Sequence, residues 1–182
     1  FDTDYFEVLF FKEATGVLNL NQQEITLKAG SIIFISPFQK RSWKIQPEKL
    51  QVTTLVFQEA FLNDFFADKL FPYRLLYFYQ LIHPLAMQVE QEEMLKYCNL
   101  LTEIKTELLS PQTDSVHIIR SLLYYLLQTL NRRYADQHVL SLQQGGNNFA
   151  FQFKNLMETH IKEKQRIGDY ASMLGISRIA LN

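Results

Sequence analysis

The apolar residues of this chain change their spacing near Gln58, and this change constrains the fold more than any other feature. Up to that point they alternate with polar residues or form short runs that end at turn residues. Such alternation is the period of a β-strand with one buried face. Beyond residue 58 they recur every three to four residues, which is the period of an amphipathic helix. The sequence therefore predicts an all-β region followed by an all-α region, an α+β arrangement.

Six short segments in the first 58 residues are predicted to be strands. These segments are Tyr5–Phe11, Val17–Leu20, Ile25–Leu27, Ser31–Ser36, Trp43–Ile45 and Val52–Phe57. Turn residues separate them, notably at Asn21 to Gln23 and at Ala29-Gly30. Short strands with turn signals at close, regular spacing favour an N-terminal antiparallel β-barrel or jelly roll.

Two long amphipathic helices are predicted after a stretch of short helices over residues 59–80. The apolar positions of the first long helix are Met94, Tyr97, Leu101, Ile104 and Leu108. The same spacing returns in the second at Val116, Ile119, Leu123, Leu126 and Leu130. Pro111 ends the first helix, and Asp114 or Ser115 can cap the second. The two helices are therefore expected to form an αα-hairpin.

The hairpin carries more apolar surface than a single packing partner needs. Four leucines lie off the two seams: Leu95, Leu100, Leu122 and Leu127. We expect one face of the hairpin to pack inside the domain and the other to form a homodimer interface. The alternative is that the apolar positions pack only on the partner helix and the sheet. The predicted dimerisation residues are Met94, Tyr97, Leu101, Ile104, Leu123 and Leu126.

Residues 136–148 are polar and glycine-containing, and they form the best linker candidate. The predicted domains are an effector-sensing and dimerisation domain over 1–136, a linker over 137–148 and a partial helical domain over 149–182. Phe149–Glu163 has the spacing of an amphipathic helix.

The last segment, Ile167 to Asn182, has the pattern that begins a helix-turn-helix. Asp169 lies in the first turn of a helix, Ala171 is small enough for a close helix crossing, and Gly175 suits the positive φ that ends a helix. In this motif the second helix enters the major groove, where arginine suits guanine and asparagine suits adenine. Any αα-hairpin with a glycine turn shares part of this pattern. The predicted DNA-binding residues are Ser177, Arg178 and Asn182.

The charge distribution agrees with a DNA-contacting C-terminal segment. The 182 residues have a formal net charge of −1, yet residues 151–182 carry five basic and three acidic side chains. A local positive excess favours contact with phosphate. The single cysteine, Cys98, together with the lack of a signal sequence and of a long apolar run, leads us to expect a cytoplasmic protein without a membrane span.

No catalytic or metal-binding constellation is predicted. The four histidines, His83, His117, His138 and His160, all follow the strand region, so a histidine-based metal site in the barrel is not expected. The sequence has no phosphate-binding glycine loop and no nucleophile elbow. We therefore expect neither a cofactor nor an enzymatic activity.

Polar residues on apolar strands mark a candidate effector pocket. Glu7 interrupts the first strand, and Arg41 and Trp43 lie on or near the fifth. A carboxylate, a guanidinium and an aromatic ring can together clamp a small effector inside a small barrel. The alternative is that Glu7 lies on the outward face and Arg41 at the rim.

Both ends of the chain resemble one family. The strings Asp169-Tyr170-Ala171, Leu174-Gly175-Ile176-Ser177 and Leu181-Asn182 resemble the opening of the DNA-binding domain of AraC/XylS-type transcription regulators. Phe6–Phe10 and Gly30–Pro37 resemble the cupin-like N-terminal arm and barrel of that family. The hairpin occupies the position of its dimerisation helices.

The resemblance implies a regulator in which a small-molecule effector, bound in a metal-free sensor, controls sequence-specific binding of a homodimer to double-stranded DNA. Two departures qualify it. The family's DNA-binding domain has two helix-turn-helix units, so we expect this chain to be the sensor plus part of the DNA-binding domain. Many relatives have a segment resembling Pro-x-x-x-His after the strand that follows the glycine turn. This chain has Arg41 near the position of that histidine.

Two other functions remain open from the sequence. The first alternative is a metal-free cupin that binds a small molecule without binding DNA. The second is a cupin-type isomerase or epimerase, which the lack of barrel histidines disfavours.

Overall fold

The structure is a computed structural model that describes residues 4–21, 23–64, 68–80, 82–142 and 149–177. Within these residues, no helix is both long enough and apolar enough to cross a membrane. The described residues are α+β, with six antiparallel strands before the helices, as the change of period predicts, and a seventh strand between two of the helices.

Seven strands form two antiparallel sheets. They are β1 (Phe6–Glu13), β2 (Gly16–Leu20), β3 (Gln23–Leu27), β4 (Ser31–Ile35), β5 (Arg41–Ile45), β6 (Gln51–Phe57) and β7 (Ala86–Gln88). The first sheet has the order β6-β1-β4-β7 and the second β3-β2-β5. All six predicted strands are present, and β7 is an additional strand that pairs with β4. Strand pairing closes neither sheet within the described residues, so the predicted closed barrel is not shown.

Strand β1 is buried on both faces because it lies between the two hydrophobic cores. Phe6, Val8 and Phe10 face one way and pack with the helices, whereas Leu9 and Phe11 face the second sheet. Strand β4 divides its isoleucines and Phe34 in the same way. A strand buried on both sides reads as a near-continuous apolar run, which explains the sequence of β1 and β4.

Four helices cover the outer face of the first sheet. They are α1 (Glu59–Asn63), α2 (Leu76–Tyr79), α3 (Gln91–Leu109) and α4 (Ser115–His138). The side chain of Asn131 in α4 accepts a hydrogen bond from the Leu76 backbone N–H at 2.7 Å. The hydroxyl of Tyr77 donates to the Leu127 carbonyl at 3.1 Å, and its ring stacks on Phe34 with centroids 4.0 Å apart. These contacts fix α2 between the sheet and the hairpin.

The predicted αα-hairpin is present, with α3 ending before Pro111. Asp114 is the N-cap residue of α4, although its side chain makes no capping bond. Instead the Ser115 hydroxyl accepts from the Gln112 N–H at 2.7 Å and donates to Glu107 at 2.5 Å. Helix α4 continues through His138, two residues beyond the predicted domain boundary at 136, and residues 143–148 of the predicted linker lie outside the described residues.

Two helices follow the linker: α5 (Phe149–His160) and α6 (Ile167–Leu174). The rings of Phe153 and Tyr170 join them, edge to face with centroids 5.6 Å apart. Tyr170 and Ala171 are each 3 % exposed, so the small residue does lie at a tightly packed position.

Candidate functional sites

The turn after α6 has the geometry that the sequence predicts for the centre of a helix-turn-helix. Gly175 has a φ of +66° and a left-handed conformation. Its N–H bonds to the Ser172 carbonyl at 3.2 Å, and the Ile176 N–H bonds to the Ala171 carbonyl at 3.0 Å. These two bonds define a Schellman motif, which ends a helix and turns the chain sharply. Asp169 lies in the first turn of α6, as predicted.

The glycine is required for its backbone conformation and not for space. A Cβ built on Gly175 would meet no atom of the described residues within 4 Å. Ser177, the first predicted DNA-binding residue, is exposed just beyond this turn. Arg178 and Asn182 lie outside the described residues, so their predicted roles stay predictions.

Glu7 and Arg41, two of the three predicted effector residues, form an ion pair with each other. Glu7 is only 6 % exposed and shares a face with Leu9 and Phe11, toward the second sheet. The alternative that placed Glu7 on the outward face is therefore wrong, because β1 is buried on both faces from Phe6 to Phe11. Within this structure the carboxylate and the guanidinium satisfy each other across the two sheets.

Trp43, the third predicted effector residue, packs beside this pair. Its ring is half-buried against the core between the sheets, with its centroid 6.3 Å from that of Phe11. The structure thus brings Glu7, Arg41 and Trp43 to one side of one core. Whether they hold an effector stays a prediction.

A cleft lies at one end of the first sheet, beside α1 and α2. We call it the aromatic cleft, and it has a volume of about 290 Å³. The residues that line it are Asp4, Phe6, Ser36, Pro37, Phe38, Glu59, Tyr73 and Tyr79. Phe38 stands at its edge with a φ of +64° and 66 % of its surface exposed. A positive φ is rare for a bulky residue and often marks a functional site.

Hydrogen bonding and stacking organise the inner wall of the aromatic cleft. The Tyr73 hydroxyl donates to Oε2 of Glu59 at 2.7 Å, and the rings of Tyr73 and Tyr79 stack with centroids 5.5 Å apart. Burial, followed by the hydrogen bond and the negative charge of Glu59, raises the pKa of Tyr73. The phenol therefore stays protonated and keeps donating to the carboxylate.

Helix α5 meets the rest of the chain at the aromatic cleft. Lys154 Nζ lies 3.8 Å from Oε1 of Glu59 and 5.5 Å from the centre of the Tyr73 ring. One turn away, the Arg74 guanidinium lies 5.1 Å from the centre of the Phe151 ring. Two cation–π contacts and one ion pair thus connect the C-terminal segment to the wall of the cleft.

A second cleft of about 340 Å³ lies between α3 and α4. It is lined by Glu90, Glu92, Glu93, Lys96, Tyr97, Leu100, Tyr125 and Thr129. Two of its three carboxylates are engaged: Glu93 pairs with Arg133 at 3.1 Å and accepts from the Tyr97 hydroxyl at 2.9 Å. Glu92 pairs with Lys96 at 3.2 Å.

The six predicted dimerisation residues are all buried within a single chain. Met94, Tyr97, Leu101, Ile104, Leu123 and Leu126 are between 0 % and 7 % exposed. They belong to the core between the hairpin and the first sheet, which leaves almost no surface for a second protomer. Apolar side chains that remain accessible on the same helices lie elsewhere and include Leu95, Leu108, Leu109, Val116 and Tyr125.

Two of the four histidines come together at the end of α4. The rings of His83 and His138 have centroids 4.8 Å apart, and His138 also packs on Tyr134. Burial, and then the charge of His83, lowers the pKa of His138. Among the described residues, no group of three or more histidine, cysteine or acidic side chains is placed to hold a metal ion.

No protein-family model matches this chain. No curated protein sequence matches it either. Solved structures similar to it include two transcription regulators. The AraC-like transcriptional activator CuxR has 10 % identity and a TM-score of 0.45, over 97 % of this chain and 59 % of its own. ToxT from Vibrio cholerae, solved with an unsaturated fatty acid bound, has 15 % identity and a TM-score of 0.52, over 99 % of this chain and 64 % of its own.

The likeness to ToxT shows a shared fold that extends along almost the whole chain. This chain spans less than two thirds of the length of either solved protein. The aromatic cleft was not predicted from the sequence, because its residues come from five separated segments and share no local motif.

Proposed function

We propose that this chain is the sensing part, with the start of the DNA-binding part, of a ligand-responsive transcription regulator of the AraC/XylS type. The Schellman turn at Gly175 carries the proposal, because it ends α6 where a helix-turn-helix requires the chain to turn. The sequence resemblance at both ends and the fold shared with ToxT support it. In this proposal, residues 149–182 belong to the domain that binds double-stranded DNA.

The proposed sensor is the two-sheet region with its helices, a cupin-like domain that responds to a small molecule without a metal or a cofactor. Glu7, Arg41 and Trp43 are the effector residues proposed from the sequence, although in this structure the first two are already paired. An effector that bound there would have to replace that ion pair. The contacts of Lys154 and Arg74 give a route by which events in the sensor reach α5.

We also propose a homodimer formed through α3 and α4. The accessible apolar side chains near the hairpin turn, Leu108, Leu109 and Val116, are better placed for this than the six buried residues predicted from the sequence. A Leu109→Glu variant should shift the molecular mass measured by light scattering from dimer to monomer without unfolding the chain. An exposed Thr102→Glu variant on the same helix serves as the control. A Leu109→Glu protein that remains dimeric would refute this choice of surface.

DNA binding is tested on the parent protein by selecting bound sequences from a random pool and measuring their affinities. Arg178→Ala and Asn182→Ala are each expected to weaken binding to the preferred sequence by about 1–3 kcal/mol. Each should also reduce the preference for one base at a single position of the site. Lys162→Ala, on the exposed turn after α5, should weaken binding to all sequences equally or not at all. Protein that binds a small molecule but selects no sequence would instead support a cupin without DNA binding.

A further inference from the structure

The aromatic cleft has the chemistry of a site for an organic cation. Its described lining includes two carboxylates, Asp4 and Glu59, and no basic side chain. The rings of Phe6, Phe38, Tyr73 and Tyr79 supply the remaining walls. Aromatic faces carry negative electrostatic potential, so rings and carboxylates together attract an ammonium or guanidinium group and repel an anion.

The chain already places a cation of its own at the edge of this cleft. Lys154 Nζ lies 5.5 Å from the centre of the Tyr73 ring and 3.8 Å from Glu59. Both of these partners also line the cleft. The wall that binds the tethered ammonium is therefore the wall that a free cation would use.

The groups that would bind the cation are held in place before it arrives. Glu59 accepts from the Tyr73 hydroxyl at 2.7 Å through one oxygen and from the Asn63 side chain at 3.0 Å through the other. Tyr73 is stacked on Tyr79. A preorganised carboxylate and ring bind with less loss of conformational freedom than mobile ones do.

We propose that the aromatic cleft binds a small organic cation, an amine, quaternary ammonium or guanidinium group on an apolar body, in competition with Lys154. The volume of about 290 Å³ is at the lower end for ligand pockets, which restricts the ligand to a small one. A bound cation removes Lys154 from Glu59 and Tyr73 and so loosens α5. Any effect of a loosened α5 on DNA binding rests on the proposed function, whereas binding of the cation to the cleft does not.

The competing chemistry is an anion held by Lys154. The unsaturated fatty acid bound to ToxT has a carboxyl group, which is an anion at neutral pH. In this chain a carboxylate ligand in the cleft would lie beside Asp4 and Glu59, and neighbouring negative charges repel each other. The two chemistries predict opposite effects of changing Lys154, which makes them separable.

Binding is measured on the 182-residue chain by titration calorimetry with three probes: benzyltrimethylammonium, its uncharged analogue neopentylbenzene at its solubility limit, and octanoate. We expect saturable binding of the cation and none of octanoate. Glu59→Gln should weaken cation binding on the order of tenfold, because a charged partner is replaced by a neutral one. Glu103→Gln, an exposed change of the same kind on α3, should leave it unchanged.

The decisive variant is Lys154→Gln. Because it removes the competing ammonium, it should strengthen binding of benzyltrimethylammonium about two- to fivefold, the range expected for a partly exposed ion pair. Lys162→Gln is the control for loss of one positive charge from the C-terminal segment. Absence of cation binding overturns the proposal, as does octanoate binding that disappears in Lys154→Gln. Because these readouts need no DNA, they are independent of whether the parent protein binds DNA.

Discussion

The ion pair between Glu7 and Arg41 gives the sharpest stability prediction. The Glu7 side chain is 7 % exposed, whereas that of Arg41 is 23 % exposed. Replacing Arg41 by methionine leaves a carboxylate in the core between the sheets without its cation. Removing one partner of a fully buried pair costs about 3–5 kcal/mol. Because Arg41 retains access to water, we expect Arg41→Met to lower the free energy of unfolding by about 2–3 kcal/mol.

The reverse change is expected to cost less. Glu7→Leu leaves the guanidinium of Arg41 without its partner. Because this group can reach solvent, we expect the free energy of unfolding to fall by only about 1 kcal/mol. The double variant Glu7→Leu/Arg41→Met buries no charge and should be more stable than Arg41→Met alone. The expected order of unfolding free energies is therefore wild type and double variant highest, Glu7→Leu next and Arg41→Met lowest.

Urea unfolding of the four proteins measures this cycle, and thermal unfolding should show a shift of about 4–12 °C for Arg41→Met. A coupling energy within about 0.5 kcal/mol of zero would mean that the two changes are independent. That result would refute a structural pair and would return Glu7 and Arg41 to the role of an open effector clamp.

Three further predictions concern single positions. Gly175→Ala should destabilise the C-terminal helices by about 1 kcal/mol, because alanine resists a φ of +66°. Faster amide hydrogen exchange confined to residues 149–177 would show this loss of stability, and unchanged exchange would contradict the need for glycine at this turn. Asn131→Leu should lower the free energy of unfolding by about 1–3 kcal/mol, because the buried N–H of Leu76 loses its acceptor. An unchanged midpoint of urea unfolding would contradict this. The lowered pKa of His138 means that the folded state binds fewer protons than the unfolded state, so stability should fall as the pH drops below the unfolded value of 6.5. His138→Gln should flatten that part of the pH profile, and a variant with the same slope as wild type would exclude His138 as the cause.

The strands and the long helices could be predicted because their signals are local. Alternation identifies a strand wherever one face is buried, and the three-and-four spacing from Met94 to Leu108 identifies a helix before any neighbour is known. The turn at Gly175 was predictable for the same reason, since its conformation depends on one residue without a Cβ. β7 was missed because three residues between a proline and a helix carry too little pattern.

Positions that depend on tertiary neighbours could not be assigned from the sequence. The seam of Leu101 and Leu123 looks the same whether it packs on a sheet or on a second protomer, and the structure places it on the sheet. The burial of Glu7 depends on a second sheet above β1, which the strand's own sequence does not reveal. The aromatic cleft combines Asp4 with Tyr73 and Tyr79, which only the folded chain brings together.

The double burial of β1 also determines how the strand selects its alignment. Its apolar residues fit either core, so hydrophobicity alone distinguishes poorly between the observed pairing and one displaced by a single residue. Such a displacement turns every side chain to the opposite face. It would move Glu7 away from Arg41 and into the layer of rings around Phe57 and Phe78. The one buried acid of β1 therefore fixes the alignment of the strand, because the displaced pairing would bury that charge without its cation.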